Sequence, residues 1–157
     1  MKIIIAGYGF YTLGNRDVQG GTIIPSILSW LYQNNNQSID LSILVRSETS
    51  KSSAENRIQE FLKKYENREI LSRIDVSFIL TSQLKDDNKF DCGIVAVPES
   101  AHVDVISNLS KVTSNLICVK PLGSNISDFE KILRIQDNKN CSIFIDFHKR
   151  YDESNIS

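Results

Sequence analysis

The sequence predicts an α/β fold: a doubly wound parallel sheet of about six strands, in the order 3-2-1-4-5-6, with helices on both faces. Three observations point to it. Short apolar runs of strand length recur through the chain, at residues 2–6, 41–45, 74–80, 94–97, 116–119 and 142–147. Most are separated by stretches with apolar residues at helical spacing. Strand, helix, strand with crossovers of that length implies parallel neighbours.

Lys2 to Ala6 reads as a first strand buried on both faces. Gly7-Tyr8-Gly9 follows at once. A Gly-x-Gly directly after a strand turns tightly and lets the backbone approach a phosphate at the start of the next helix. The third glycine of that pattern is replaced by Thr12, and Gly14 comes two residues late. A helix is expected only after Gly20-Gly21, so the loop reads as longer than a tight dinucleotide loop. A phosphate contact and a purely structural turn both stay open for it. Thr22 is placed to cap the helix, Pro25 suits its first turn, and Ile23, Ile24, Ile27, Leu28 and Leu31 form its apolar face.

The second strand runs into Arg46, Ser47 and, nearby, Lys51, with Glu48 as the only local carboxylate. In a dinucleotide fold a carboxylate here bonds ribose hydroxyls, whereas an arginine favours a 2′-phosphate. Arg46 therefore tilts the expectation toward NADP over NAD; the alternative is a solvated helix entrance. Ser52 and Glu55 have capping-box spacing for the next helix, whose stripe is Ile58, Phe61, Leu62 and Tyr65. After the third strand comes a polar turn at 83–89.

Residues 91–122 are the centre of the chain. The run at 94–97 stops at Pro98, Val103, Ile106 and Leu109 take helical spacing, and a second run ends in Lys120-Pro121. Pro98 and Lys120 then lie at the carboxyl ends of neighbouring strands, the edge where open parallel sheets bind ligands. His102 is expected to face the same edge, with helix capping or a backbone bond as the alternative. Ser127 and Glu130 have capping-box spacing, and Phe129, Ile132 and Leu133 read as one face of the last helix. The final strand leads into His148-Lys149-Arg150-Tyr151-Asp152.

The length of 157 residues suits one domain with a real core, and 41% hydrophobic with 24% charged residues is ordinary for a soluble protein. A net charge of −1 gives no electrostatic case for nucleic acid or an anionic membrane. No apolar run approaches a membrane span, and the N-terminus is too short for a signal-peptide core. Cys92, Cys118 and Cys141 lie in or beside strands, with no ligand spacing for a metal. Their odd count without a secretory signal suggests a reducing, cytoplasmic setting.

Taken in order, these residues resemble the N-terminal domain of the glucose–fructose oxidoreductase / inositol dehydrogenase (Gfo/Idh/MocA) family. Four landmarks carry the resemblance: Gly7-Tyr8-Gly9; Asp91 through Val97-Pro98 with His102 four residues on; Val119-Lys120-Pro121-Leu122, similar to the family's Glu-Lys-Pro-Leu; and Phe147-His148-Lys149-Arg150-Tyr151-Asp152, similar to the segment leading into the family's second domain. The resemblance implies a Rossmann domain over residues 1–157, binding NADP or NAD, from an oxidoreductase acting on a sugar, cyclitol or related small molecule. Lys120 would be the catalytic lysine, holding or protonating the reacting oxygen. Gly7, Gly9, Phe10, Arg46, Ser47, Val97, Pro98, His102, Lys120 and Pro121 are expected around the cofactor. The family's Glu and Asn are here Val119 and Glu99. Its substrate domain would lie beyond Ser157, and without it the uncovered face is expected to drive self-association. A non-catalytic Rossmann-like module that binds a nucleotide or a protein partner is the alternative.

Overall fold

Four side chains in succession, Ile3 to Ala6, carry no polar atom, so the strand they form is stable only with cover on both faces. The structure, a computed structural model that describes residues 1–14 and 21–147, puts them at the centre of the sheet. The strands are β1 (Lys2–Ala6), β2 (Ile39–Val45), β3 (Ile74–Leu80), β4 (Cys92–Val95), β5 (Asn115–Val119) and β6 (Ser142–Asp146). All pair in parallel, in the predicted order β3-β2-β1-β4-β5-β6. The helices are α1 (Phe10–Leu13), α2 (Ile23–Gln33), α3 (Glu48–Lys64), α4 (Arg68–Leu71), α5 (His102–Leu109) and α6 (Ile126–Lys139).

Right-handed crossovers decide which face each helix covers. From β1 the chain steps outward to β2 and β3, and α2 and α3 pack on Ile3, Ile5, Leu41 and Ile43. It then returns past β1 and steps the other way, so α5 and α6 pack on Ile4, Val95, Leu116 and Cys118 on the opposite face. Among the described residues this leaves two diagonal patches of sheet without a helix. One is polar: Ser42 on β2 and Ser77 on β3 share a 3.0 Å Oγ–Oγ hydrogen bond, and Asp40 and Asp75 are exposed in the same register. There the β3–β4 connection holds only a 3-10 turn at Thr81–Gln83. The other patch is apolar: the register partners Ile117 and Phe144 stand 36% and 60% exposed on β5 and β6.

Several local expectations are corrected. β4 begins at Cys92 and ends at Val95, not Val97. Ala96 N still donates to Ala6 O at 2.8 Å, and the chain then leaves the ladder. A helix starts directly after Gly9, so the tight loop is kept and the extra length comes after the first helical turn. Thr22 does not cap α2 with its side chain: its N–H and Oγ1 both donate to Tyr11 O, at 2.8 and 3.2 Å, tying α2 back to α1. Ser47, not Ser52, caps α3 by accepting from Ser50 N at 3.2 Å, and Asn125, not Ser127, caps α6 by accepting from Asp128 N at 3.1 Å. Both winning caps sit on extended backbone just outside the helix, where a side-chain oxygen reaches the free N–H groups of the first turn. The last helix does not bury Phe129, Ile132 and Leu133 together: Ile132 faces the sheet, while Phe129 and Leu133 are exposed. Residues 15–20 of the glycine-rich loop, and His148 to Asp152, lie outside the described residues.

Candidate functional site

The order reverses between β1 and β4, so the loops after these strands part and leave a crevice at the carboxyl edge. Gly7 follows β1 with φ +107°, and an ideal Cβ there would stand 2.2 Å from Ala96 O. Glycine is therefore required at this position by the protein itself. It lets the loop after β1 lie directly on the backbone after β4.

Gly9 is different. Its φ of −82° suits any residue, and among the described residues a Cβ built on it meets nothing within 4 Å. Neither backbone conformation nor packing against the described residues asks for glycine here. Thr12, at the third glycine position, is fully buried and donates Oγ1 to Gly7 O at 2.9 Å. The loop is closed by a hydroxyl instead of by close glycine packing. Arg57 reaches across from α3 and donates Nη2 to Gly14 O at 3.0 Å, holding the exit of α1. Sequence reasoning missed both roles. A threonine at a glycine position was the available signal for the first; nothing local signals the second, whose partners are 43 residues apart.

On one side of the crevice Arg46 and Ser47 follow β2, both exposed. The Ser47 hydroxyl is engaged at the start of α3, accepting from Ser50 N and lying 3.0 Å from Ser50 Oγ. Phe10, at the start of α1, is 55% exposed and meets Tyr11 edge to face. On the other side Val97 is half-buried, and Pro98 and Glu99 are exposed. Lys120 and Pro121 follow β5, both exposed, joined by a cis peptide. Among the described residues the Lys120 ammonium has no hydrogen-bond or ion-pair partner. Val119, where the related motif has a carboxylate, is buried in the core.

His102 lies beneath this edge, only 1% exposed. Its Nε2 is 2.9 Å from Val97 O, and its Nδ1 is 3.2 Å from Leu122 O and 3.4 Å from Cys118 Sγ. The ring contacts the loops that shape the site, and both its nitrogens are taken up by the protein. Burial pushes the Cys118 thiol up from its ordinary 9.0 to about 12, and burial raises Cys92 and Cys141 as well. Above pH 9 an unfolded Cys118 loses its proton while the folded one keeps it, so rising pH favours unfolding through that window. The urea midpoint is expected to fall progressively above pH 9, and less steeply in Cys118→Ala; an identical pH slope in the variant would remove Cys118 as a contributor.

Among the described residues no helix is long and apolar enough to cross a membrane, and no three His, Cys, Asp or Glu residues stand together to hold a metal ion.

Comparison with known proteins places this geometry. A family model, GFO_IDH_MocA, described as an oxidoreductase family with an NAD-binding Rossmann fold, matches residues 22–147. The match begins after the Gly7–Gly9 loop. No curated protein sequence matches the chain. Similar solved structures include apo scyllo-inositol dehydrogenase from Lactobacillus casei, at 17% identity and TM-score 0.58, covering 98% of this chain and 38% of that one. An NAD binding oxidoreductase from Klebsiella pneumoniae has 13% identity and TM-score 0.64, covering 95% and 34%. The WlbA dehydrogenase from Bordetella pertussis, solved with NADH and UDP-GlcNAcA, has 12% identity and TM-score 0.63, covering 98% and 38%. At these identities the likeness is one of fold, and this chain spans little more than a third of each structure's length.

Proposed function

The chain belongs to the Gfo/Idh/MocA oxidoreductase family, as its NAD-binding Rossmann domain, and we propose that it holds NADP or NAD for hydride exchange with a sugar-like or cyclitol-like hydroxyl or carbonyl. Gly9 is the observation that carries this reading. An unstrained glycine with none of the described residues against it, at the strand-order reversal, fits a backbone that must let a diphosphate come close. The residues present fit the cofactor: Gly7, Gly9 and Phe10 would hold its diphosphate, Arg46 and Ser47 its adenosine end, and Val97, Pro98, Lys120 and Pro121 its nicotinamide. Arg46 and Lys120 follow β2 and β5, three strand spacings of about 4.8 Å apart, so roughly 14 Å of edge separates the two ends.

The cofactor supplies or accepts the hydride. In the reducing direction the Lys120 ammonium donates a hydrogen bond to the carbonyl oxygen, stabilises the negative charge that develops there, and passes its proton to it. Its exposure at the edge, with no partner among the described residues, leaves it available for that contact. A second domain completes the substrate pocket in this reading, consistent with the greater length of the similar structures. We place the protein in the cytoplasm, on its free cysteines.

Arg46 favours NADP over NAD. Titrating the chain with NADPH and NADH, followed by reduced-nicotinamide fluorescence, tests both assignments. NADPH is expected to bind the more tightly, and Arg46→Asp to reverse the order by weakening NADPH about tenfold or more, the worth of one charge-assisted contact. Binding of neither nucleotide by the folded chain would leave the non-catalytic module. Sedimentation velocity on the same preparation tests self-association through the Ile117–Phe144 patch; a monomer at all concentrations would rule it out.

A further inference from the structure

The strands that end at the candidate site are joined beneath it by one buried pair of side chains. Val97 and Leu122 have both left the ladder, and among the described residues neither carbonyl has a backbone partner. Both point at the ring of His102, the first residue of α5. A neutral imidazole carries one N–H, and the 2.9 Å contact assigns it to Nε2, donating to Val97 O. Nδ1 is then an acceptor 3.4 Å from the Cys118 thiol, which also lies 3.4 Å from Val119 O; in this tautomer the Leu122 O contact at 3.2 Å is packing and not a hydrogen bond. Cys118 lies on β5, two residues before Lys120. The sequence Val97 carbonyl, His102 ring, Cys118 thiol thus ties the loop after β4 to the strand that presents the lysine.

We propose that His102 and Cys118 are positioning residues that lock the Val97-Pro98 loop to the strand carrying Lys120, so that the two sides of the nicotinamide end move as one body. The bland alternative is a histidine that merely fills space. It fails to explain why an imidazole, and not a leucine, meets the Val97 carbonyl, which has no backbone partner among the described residues. The consequence for Lys120 rests on the function proposed above; the lock itself does not.

Hydrogen exchange by mass spectrometry on the full chain, with and without NADH, tests it. In His102→Phe, which keeps the ring volume without its nitrogens, exchange is expected to rise about tenfold in peptides covering both 96–101 and 117–123, the effect of losing about one hydrogen bond. Peptides from α3 should be unchanged. His102→Gln, with a donor and an acceptor, should bring both loops back near the wild type, and Cys118→Ser, which keeps a donor on β5, should leave both there. A long-range proton–nitrogen spectrum should show His102 protonated at Nε2 and unprotonated at Nδ1. A rise in one loop alone, an equal rise throughout the chain, no recovery in His102→Gln, or a proton on Nδ1 would each overturn the lock. If the wild type binds no NADH, the assigned function falls, while exchange and the nitrogen spectrum still decide the lock.

Discussion

Gly7→Ala is expected to destabilise the chain by about 3–5 kcal/mol, a large share of the 5–15 kcal/mol that holds an ordinary domain together. Two effects combine. At φ +107° an L side chain is strained, and the new Cβ would sit 2.2 Å from Ala96 O, which is backbone and cannot rotate away. Forcing extra volume into packed structure ordinarily costs about 1–3 kcal/mol, and more where a main chain must move. Relieving the clash separates the ends of β1 and β4, so what folded protein remains should also lose dinucleotide affinity. Gly9→Ala is the control. At φ −82° with no atom of the described residues nearby, its stability should change by no more than about 0.5 kcal/mol. If the space above Gly9 holds a diphosphate, the methyl intrudes on it, and NADH or NADPH affinity should fall about 10- to 100-fold, the equivalent of that same overpacking cost. Thermal unfolding and nucleotide titration on both variants separate the two roles. Undiminished binding by a folded Gly9→Ala would remove the observation on which the assigned function stands.

Lys120→Ala should leave stability untouched and remove turnover. The side chain is exposed and makes no bond within the described residues, so nothing in the fold depends on it. Loss of a proton donor that also stabilises an oxyanion ordinarily costs about 10²–10⁴ in rate. In a protein that carries the second domain proposed above, we expect that loss in kcat for a sugar or cyclitol substrate, with nucleotide affinity changed only a few-fold. The test is reduced-nicotinamide absorbance in steady-state assays, with Lys120→Arg as a charge-preserving control. Turnover in Lys120→Ala within tenfold of the parent would reduce Lys120 to a surface lysine after a strand.

The sheet was legible in the sequence because each strand is dense enough in apolar residues to announce its burial. Ile3 to Ala6 needs cover on both sides, and only a central position provides that. The order of strands then follows from connection length and handedness. Strand ends, helix starts and Lys120 at an edge are statements about neighbours along the chain, and these were readable within a few residues. The helix caps were not. Ser47 and Ser52, or Asn125 and Ser127, carry equivalent chemistry, and the choice between them belongs to backbone angles set by where the strand delivers the chain.

What the sequence by itself determined is the parallel α/β order, the carboxyl edge of the sheet and, His102 aside, the residues that stand on it. What only the tertiary structure decided is the work each of those residues does. Two glycines of one motif, identical in sequence logic, part company: Gly7 is held by a carbonyl 89 positions away, and Gly9 faces open space. His102, which the sequence put at the edge, serves it from below, because its partners Val97, Cys118 and Leu122 arrive from two different loops and a strand. Periodicity records whether a residue is buried. It carries no record of which distant backbone group it will be buried against, and that contact is set only when separate strands close into one sheet.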